Sequence, residues 1–419
     1  MKKVTAVLLG AGGRGNVYSR YSKECPEEFE VVAVAEPDRA RREKYCAEYR
    51  IAPGQAFEHW EELLARPKLA DVALVCTMDN MHTAPAIRAL ELGYHVLLEK
   101  PMAGSAEECR AIADAAEREG LVLSVCHVLR YTPFYGKLKE LIEAGTIGTP
   151  VSIDQIENVG YWHYAHSFVR GNWRNTAESS PMILAKCCHD MDILSWLLGS
   201  GLKCTGVASY GGLSHFTAGN APAGAPARCL DGCPAKDECP YYAPRFYLEH
   251  PRAVSDGFVS ALTVDRSREG ILKALEKSPY GRCVYRCDND VVDHQVVCAA
   301  FENGAAATLT MTAFTQDCDR TLKITGTRGE VEGDMEKNKI VCRLFGRAEP
   351  RSVTVEQPAV RENFGHDGGD FCLMRDFVRA VRAGGGSHNR TTAAQSLQSH
   401  LMCFAAEEAR LTGKTVSLD

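Results

Sequence analysis

A glycine-rich turn near the start of the chain has the spacing of a phosphate-binding loop. Gly10, Gly12 and Gly15 follow the apolar run 4–9 and lead into a helical pattern. In such a turn the first glycine allows a tight bend, the second lets the backbone approach a pyrophosphate, and the third lets the helix pack on the strand. The helix N-terminus attracts the negative charge. The turn therefore predicts a dinucleotide site.

An acidic residue further along supports this interpretation. Glu36 lies 21 positions after Gly15 and directly follows the apolar run 31–35, where its carboxylate can bind the hydroxyls of the adenosine ribose. Because a carboxylate repels a ribose phosphate, we expect NAD rather than NADP. Arg39 and Arg41 leave NADP open, since a nearby arginine can accommodate that phosphate.

The first third of the chain has the pattern needed to position this turn. Short β-rich runs alternate with amphipathic helical patterns, which predicts a doubly wound parallel sheet in a Rossmann domain over residues 1–131. The predicted strands are Val4–Leu9, Phe29–Ala35, Val72–Cys76, His95–Leu98 and Leu121–Val125. The predicted helices are Gly15–Lys23, Asp38–Tyr49, Trp60–Ala65, Thr83–Leu92 and Ser105–Glu119.

After Tyr131 the predicted strands follow one another without intervening helices. This order predicts a second α/β domain over residues 132–419, built on a large, mostly antiparallel open sheet. The predicted strands are Val151–Glu157, Lys203–Tyr210, Val291–Phe301, Ala305–Thr315 and Arg320–Gly326, and the predicted helices are Ile183–Leu198, Asp370–Ala383 and Thr391–Thr412. Residues 211–286, rich in glycine, proline and cysteine, indicate a loop-rich insertion.

Three further motifs point to one family of enzymes. Leu97-Leu98-Glu99-Lys100-Pro101 ends a strand, Arg130-Tyr131-Thr132-Pro133 follows another, and His189-Asp190-Met191-Asp192 lies on a later helix. With the glycine turn, these residues resemble the family of glucose–fructose oxidoreductase, inositol dehydrogenase and the rhizopine-catabolism protein. The resemblance implies an NAD-binding Rossmann domain and a substrate-binding α/β domain. It also implies a homodimer or homotetramer formed through the open sheet.

The resemblance further implies which groups handle protons. The lysine of Glu-Lys-Pro, here Lys100, points towards the reacting carbon, and a histidine on the first helix of the second domain, here His189, acts beside it. Taking a hydride from a secondary alcohol requires a base for the hydroxyl proton, which lysine or histidine supplies. The predicted cofactor-binding residues are Gly10, Gly12, Gly13, Arg14, Gly15, Glu36, Thr77, Asn80, His82, Glu99 and Lys100.

One position departs from the family pattern. Many relatives have an aspartate about one turn before the histidine, where this chain has Lys186. Lys186 and His189 lie three residues apart on one helical face. Lys186 is therefore a third candidate catalytic residue, which would bind a substrate oxygen or lower the pKa of Lys100. Alternatively, it forms an ion pair with a nearby acid.

Residues 161–174 combine aromatic rings, imidazoles and guanidinium groups in one segment. Sugars are bound by such mixtures, because rings stack on pyranose faces and fixed donors bind hydroxyls. The predicted substrate-binding residues are Arg130, Trp162, His163, His166, Trp173, Arg174, Asp190 and His366.

Four cysteines in the insertion have a spacing that suits a metal. Cys229, Cys233, Cys239 and Cys283 lie in a segment with little apparent apolar material, to which a structural zinc ion would add stability. The spacing is irregular, so disulfides, free thiols and an iron–sulfur cluster remain alternatives.

The overall composition excludes other classes of function. A net charge of −6 provides no broad positive field for nucleic acid. We read no signal peptide and no membrane span, so we expect a cytoplasmic protein. The predicted function is hydride transfer between NAD(H) and a carbon of a sugar, sugar acid or cyclitol. Two alternatives stay open: a glycosidase that oxidises its sugar transiently with bound NAD, and a non-catalytic sensor that binds the dinucleotide.

Overall fold

The structure is a computed structural model that describes residues 2–199, 201–255, 257–356, 364–384 and 388–418. Its N-terminal part is a six-stranded parallel sheet in the order β3-β2-β1-β4-β5-β6. The strands are β1 (Val4–Leu9), β2 (Phe29–Ala35), β3 (Ala56–Phe57), β4 (Val72–Val75), β5 (His95–Leu98) and β6 (Leu123–Val125). The helices between them are α1 (Gly13–Ser19), α2 (Tyr21–Glu24), α3 (Arg39–Tyr49), α4 (Trp60–Leu64), α5 (Thr83–Glu91) and α6 (Ala106–Glu119).

This arrangement confirms the predicted doubly wound parallel sheet. All four residues of β4 are buried, as expected for a parallel strand covered by helices on both faces. The order of the strands reverses between β1 and β4. In such sheets ligands bind in the crevice outside the carboxyl ends of the strands at this switch point, which is where the glycine turn lies.

The second sheet has nine strands in the order β14-β13-β12-β11-β7-β10-β9-β8-β15. They are β7 (Pro150–Asn158), β8 (Cys204–Gly212), β9 (His294–Phe301), β10 (Ala306–Thr312), β11 (Asp319–Gly326), β12 (Gly329–Asp334), β13 (Lys339–Leu344), β14 (Arg351–Val353) and β15 (Val416–Ser417). Neighbouring strands are antiparallel except for β7 and β10, which confirms the predicted, mostly antiparallel sheet. Burial alternates along β9, so one face packs inward and the other faces outward.

The second part also contains helices, several of which share the buried core of the nine-stranded sheet. They are α7 (Pro133–Glu143), α8 (Tyr161–Tyr164), α9 (Met182–Ala185), α10 (Cys188–Leu198), α11 (Ala243–Glu249), α12 (Pro251–Ser255), α13 (Phe258–Leu262), α14 (Arg268–Lys277), α15 (Gly369–Ala383) and α16 (Ala393–Thr412). The single helix predicted over 183–198 is broken at Lys186 and Cys187. There the Ala185 carbonyl accepts a hydrogen bond from the Lys100 ammonium.

The insertion is better packed than its sequence suggests. The expectation that it has little apolar material is wrong, because α11 to α14 lie within it and contribute to a buried cluster of their own. That cluster contains Trp162, Cys229, Ala243, Phe246, Tyr247, Ala253, Val259, Ile271 and Leu275. Within the described ranges, no helix has both the length and the apolar character needed to cross a membrane.

Candidate active site

The glycine turn between β1 and α1 has the shape of a phosphate cradle. Gly10 has a φ of +95°, and a Cβ there would collide with the Cys76 carbonyl. A Cβ on Gly15 would collide with the Gly10 carbonyl, whereas one on Gly12 or Gly13 would meet nothing within 4 Å. The turn is thus tight at its two ends and open at its centre. A pyrophosphate fits in front of this open backbone.

Glu36 lies beside the same turn, on the side where the adenosine ribose of a dinucleotide would bind. Its carboxylate is buried at the end of β2 and accepts hydrogen bonds from the backbone N–H groups of Ala11 (2.8 Å) and Asp38 (3.0 Å). These bonds fix the turn and leave further acceptor capacity on the carboxylate oxygens. The turn and the strand end together fit a dinucleotide.

Two predicted cofactor residues bind each other beneath this turn. Arg14 Nε lies 2.7 Å from Glu99 Oε1, and its Nη2 lies 2.5 Å from Asp370 Oδ1. Burial alone would raise the pKa of Glu99, but the Arg14 charge lowers it below its ordinary value. The ionised Glu99 also accepts the backbone N–H of Lys100 at 2.8 Å. Arg14 and Glu99 therefore position Lys100, and Asp370 is a partner that sequence reasoning missed.

Three other predicted cofactor residues follow β4 at the switch point. Thr77 is half-buried, and Asn80 is exposed on the short 3-10 turn Asp79–Met81. His82 is buried, with Nδ1 2.7 Å from the Pro101 carbonyl and Nε2 3.2 Å from the Thr77 carbonyl. His82 thus holds the loop that carries Lys100 against the end of β4.

Lys100 and His189 meet where the two parts of the chain join. The Lys100 ammonium donates to the Ala185 carbonyl at 2.7 Å, four residues before His189. His189 is buried, and its Nδ1 has no hydrogen-bond partner among the described residues. Burial lowers its pKa well below the ordinary value, and the charge of Lys100 lowers it further. Both effects favour the neutral imidazole, the form that has an unprotonated ring nitrogen.

Comparison with known proteins identifies the family of this chain. The profile of an oxidoreductase family with an NAD-binding Rossmann fold matches residues 4–127, and that of the same family's C-terminal α/β domain matches residues 139–418. The chain belongs to the family of glucose–fructose oxidoreductase and inositol dehydrogenase. The family resemblance predicted from the sequence is confirmed.

Individual members of the family show how far this likeness extends. The Bacillus subtilis (strain 168) protein YteT, named as an oxidoreductase, is 26% identical over 88% of this chain and 87% of its own length. The scyllo-inositol 2-dehydrogenase (NAD(+)) of the same organism is 27% identical over 50% of this chain and 57% of its length. Levoglucosan dehydrogenase, solved in complex with NADH and levoglucosan, superimposes with a TM-score of 0.74 at 18% identity, over 99% of each chain. That last likeness shows the fold alone.

Lys186, the departure from the family pattern, lies in a buried ion-pair network. Its ammonium is 3.1 Å from Glu157 Oε1, and Arg320 Nε is 2.8 Å from both Glu157 and Asp190. Burial would lower the pKa of Lys186, but the Glu157 carboxylate raises it above its ordinary value. Lys186 therefore stays charged, and of the two hypotheses the structure favours the ion pair. Asp190, predicted to bind substrate, is itself held by Arg320 and by Gln155 at 2.6 Å.

The other predicted substrate residues divide into two groups. Trp173 donates its Nε1–H to Asp79 at 2.9 Å, and its ring centroid lies 5.9 Å from the Lys100 ammonium. The ring of His366 lies 6.0 Å from that of His189. His163 Nδ1 is 3.5 Å from Cys318 Sγ, and the charges of Lys186 and Lys100 add to the burial that lowers its pKa. Trp173 and His366 thus adjoin the Lys100–His189 pair, whereas His163 lies within range of the Lys100 charge and contacts Cys318.

The remaining predicted substrate residues bind other side chains of the protein or pack among them. Arg130 is buried and makes two 2.7 Å bonds to Asp192. Arg174 binds Asp288 on the surface, and His166 Nδ1 lies 2.6 Å from the Tyr247 hydroxyl. Trp162 packs in the cluster of the insertion. These placements do not support substrate contact, because each side chain is already committed to a structural partner.

The four predicted zinc ligands share one small cavity. Cys229, Cys233, Cys239 and Cys283 all line it, and all four are free thiols. Even so, no group of three or more His, Cys, Asp or Glu side chains in the described part of the chain is placed to hold a metal ion. The zinc prediction is not supported. The buried cluster and Arg170, which donates to the Tyr241 and Arg282 carbonyls, hold this segment instead.

Proposed function

We propose that this chain is an NAD(H)-dependent dehydrogenase that transfers a hydride between nicotinamide and a hydroxyl-bearing carbon of a sugar, sugar acid or cyclitol. One observation carries the proposal: a lysine ammonium and a neutral, buried imidazole lie together beside an open dinucleotide turn. Relatives named as inositol 2-dehydrogenases support the substrate class.

The roles of the residues follow from their environments. A bound nicotinamide dinucleotide would accept the hydride, held by the turn at Gly12 and Gly13. His189 would receive the hydroxyl proton, because a neutral imidazole is the form that can accept it, and the Lys100 ammonium would donate a hydrogen bond to the same oxygen. Glu99 and Arg14 fix Lys100 from below, while Trp173 covers it from the second part of the chain.

We also propose NAD as the preferred dinucleotide. Glu36 places a carboxylate at the ribose end of the turn. Of the arginines that follow it, Arg39 pairs with Glu43 at 2.7 Å and Arg42 donates to the Glu36 backbone carbonyl. The test compares kcat/KM for NAD and NADP in the wild-type protein and in Glu36→Ala. We expect the variant to lose most of the preference. An unchanged ratio would show that Glu36 does not contact the ribose.

Absorbance of reduced nicotinamide tests the reaction itself. The purified protein is supplied with NAD and with scyllo-inositol, myo-inositol, levoglucosan, hexoses, uronates and aryl glycosides in turn. We expect one class to produce NADH in stoichiometric amounts. Release of the aryl group without NADH would instead identify the transient-oxidation glycosidase. Dinucleotide binding without either product would identify a sensor.

We propose further that the chain divides near residue 131 and that its second part forms a homo-oligomer through the nine-stranded sheet. The outward face of this sheet exposes Val151, Ile156 and Val296, and apolar side chains on an open sheet face favour association. Light scattering of the purified protein, with Ile156→Lys as the disrupting variant, tests the assembly. A wild-type monomer would contradict it.

A further inference from the structure

Three imidazoles form a row across the candidate site. The ring centroid of His189 lies 6.0 Å from that of His366 on one side and 5.9 Å from that of His127 on the other. His189 and His127 are buried, whereas the side chain of His366 is 35% exposed. Of these three rings, His366 is the one that reaches solvent.

The outer end of the row is held by a buried carboxylate. His366 Nδ1 lies 3.1 Å from Asp370 Oδ2, and Asp370 is fully buried and bound by Arg14. Burial would raise the pKa of Asp370, but the charges of Arg14 and His366 hold it below its ordinary value. An ionised carboxylate accepts the Nδ1–H of the ring and stabilises the imidazolium when the ring gains a second proton.

The backbone at this end adopts an unfavourable conformation. His366 and Asp367 have φ values of +51° and +49°, a left-handed region in which residues with a Cβ are strained. Such strain persists where surrounding structure imposes it and gathers at functional sites. Here the strained pair directs an imidazole towards His189.

The inner end of the row is closed to water. His127 is fully buried, neither of its ring nitrogens has a hydrogen-bond partner among the described residues, and burial lowers its pKa to about 3. Its neighbour His400 is bound by the Met102 N–H and lies 2.7 Å from the Ser396 carbonyl. A proton at His189 therefore reaches solvent at the opposite end of the row, through His366.

We propose that His366 is the exit of a proton relay that joins the buried His189 to solvent. The inference rests on the proposed dehydrogenase function. In oxidation a bound nicotinamide dinucleotide would take up the hydride, while the hydroxyl proton passes to the neutral His189 imidazole, then to His366 and then to water. One water molecule or one substrate hydroxyl can bridge the 6.0 Å between the rings. Reduction runs the same steps in reverse.

A first measurement does not require turnover. Nitrogen-15 NMR of histidine-labelled protein at pH 7.5, with the signal of His366 assigned from His366→Gln, reports which ring nitrogen carries the proton. We expect a protonated Nδ1 that is hydrogen-bonded to the carboxylate, and a changed signal in Asp370→Asn. A His366 ring without a proton on Nδ1 would overturn the relay, because Asp370 would then have no part in it.

The second measurement separates proton transfer from structure. With the best substrate of the wild-type protein in dilute buffer, His366→Gln should lower kcat roughly 100-fold with little change in KM, and added imidazole should restore much of the rate. The control His59→Gln removes an exposed histidine beside Glu58 and should change nothing. Rescue by imidazole is a result that a merely structural role does not produce.

The outcomes distinguish the relay from the function on which it rests. A wild-type protein without redox turnover would overturn both. An active wild type with an unchanged His366→Gln variant, or a slow variant that imidazole does not rescue, would overturn the relay alone.

Discussion

Lys186 and His189 lie three residues apart, and each lies in a buried cluster of ionisable side chains. The two clusters differ in whether their groups are paired. Around Lys186, each side chain has an opposite charge: Glu157 faces Lys186 and Arg320, and Asp190 faces Arg320. Around His189, the ring nitrogen Nδ1 and both nitrogens of His127 have no hydrogen-bond partner among the described residues, and His127 Nε2 lies 3.8 Å from Asp192 Oδ1. We call the first cluster saturated because each of its charges has an ion-pair partner, although Glu157 Oε2 makes no hydrogen bond within the described part of the chain.

From this difference we predict that His189, and not Lys186, takes part in proton transfer. A paired ion gains nothing by transferring its proton, because the partner would be left as an unpaired buried charge. An unpaired neutral imidazole can accept a proton without breaking an existing bond. We therefore expect the reactivity of a side chain to depend more on whether it is paired than on how close it lies to the glycine turn. Lys100→Ala, Glu157→Ala, His127→Phe and Lys186→Gln test this expectation.

The largest effect is expected for Lys100→Ala. This variant removes the ammonium beside His189, and we expect kcat/KM to fall about 1,000-fold or more, which corresponds to at least about 4 kcal/mol of barrier. NAD binding, measured by fluorescence titration, should change little. Lys137→Ala, which removes a partly exposed lysine paired with Glu140, is the matched control. A Lys100→Ala enzyme with near-normal turnover would remove the lysine from the mechanism.

Glu157→Ala breaks the saturated cluster. Lys186 loses its carboxylate and Arg320 keeps Asp190 alone, so we expect the free energy of unfolding to fall by about 3 kcal/mol. Denaturant unfolding followed by circular dichroism measures the change. Glu140→Ala, on the exposed Lys137 pair, should cost less than about 0.5 kcal/mol. Equal losses in the two variants would mean that the buried network contributes no more than a surface pair.

His127→Phe alters the unpaired row and has a signature in pH. The folded protein keeps the pKa of His127 at about 3, whereas the unfolded chain takes up the proton near pH 6.5. Stability is therefore lost as the pH falls below 6.5. Between pH 6.5 and pH 5 this one ring should cost about 2 kcal/mol, and Phe should abolish that cost.

The measurement compares denaturant midpoints at pH 7 and pH 5 for the wild type and the variant. We expect His127→Phe to be more stable than the wild type at pH 5, with a smaller difference at pH 7. The control His59→Phe, at an exposed position, should keep the wild-type pH dependence. Parallel pH curves for wild type and His127→Phe would show that His127 is already protonated in the folded state.

The dinucleotide turn was predictable from sequence because its requirements are local. Gly10 and Gly15 meet atoms of neighbouring backbone, and Glu36 follows directly on its strand. The order of strands and helices likewise follows from periodicity, although β3 and β12 to β15 were missed. β3, β14 and β15 have only two or three residues each, and β12 and β13 carry many charged residues, which weakens their apolar alternation.

The ion-pair partners of the charged residues could not be predicted from the sequence. Arg14 pairs with Asp370, which is 356 positions away, and Arg130 pairs with Asp192, which is 62 positions away. A charged residue in a motif looks the same in sequence whether its partner is a ligand or a distant carboxylate. This is why Arg130 and Asp190 were assigned to substrate, and why Asp370 was not assigned at all.

The smallest effect is expected for Lys186→Gln, and it is the sharpest test of the contrast between the clusters. Glu157 keeps its 2.8 Å bond to Arg320 in this variant, so the network loses one cation and no carboxylate is left alone. We expect kcat/KM within about threefold of the wild type and a loss of about 1 kcal/mol in stability. Steady-state kinetics beside Lys100→Ala decides the matter, because we expect only the lysine whose ammonium has no carboxylate partner among the described residues to carry the reaction. A fall in kcat/KM as large as that of Lys100→Ala would mean that a lysine in a buried ion pair still takes part in the chemistry.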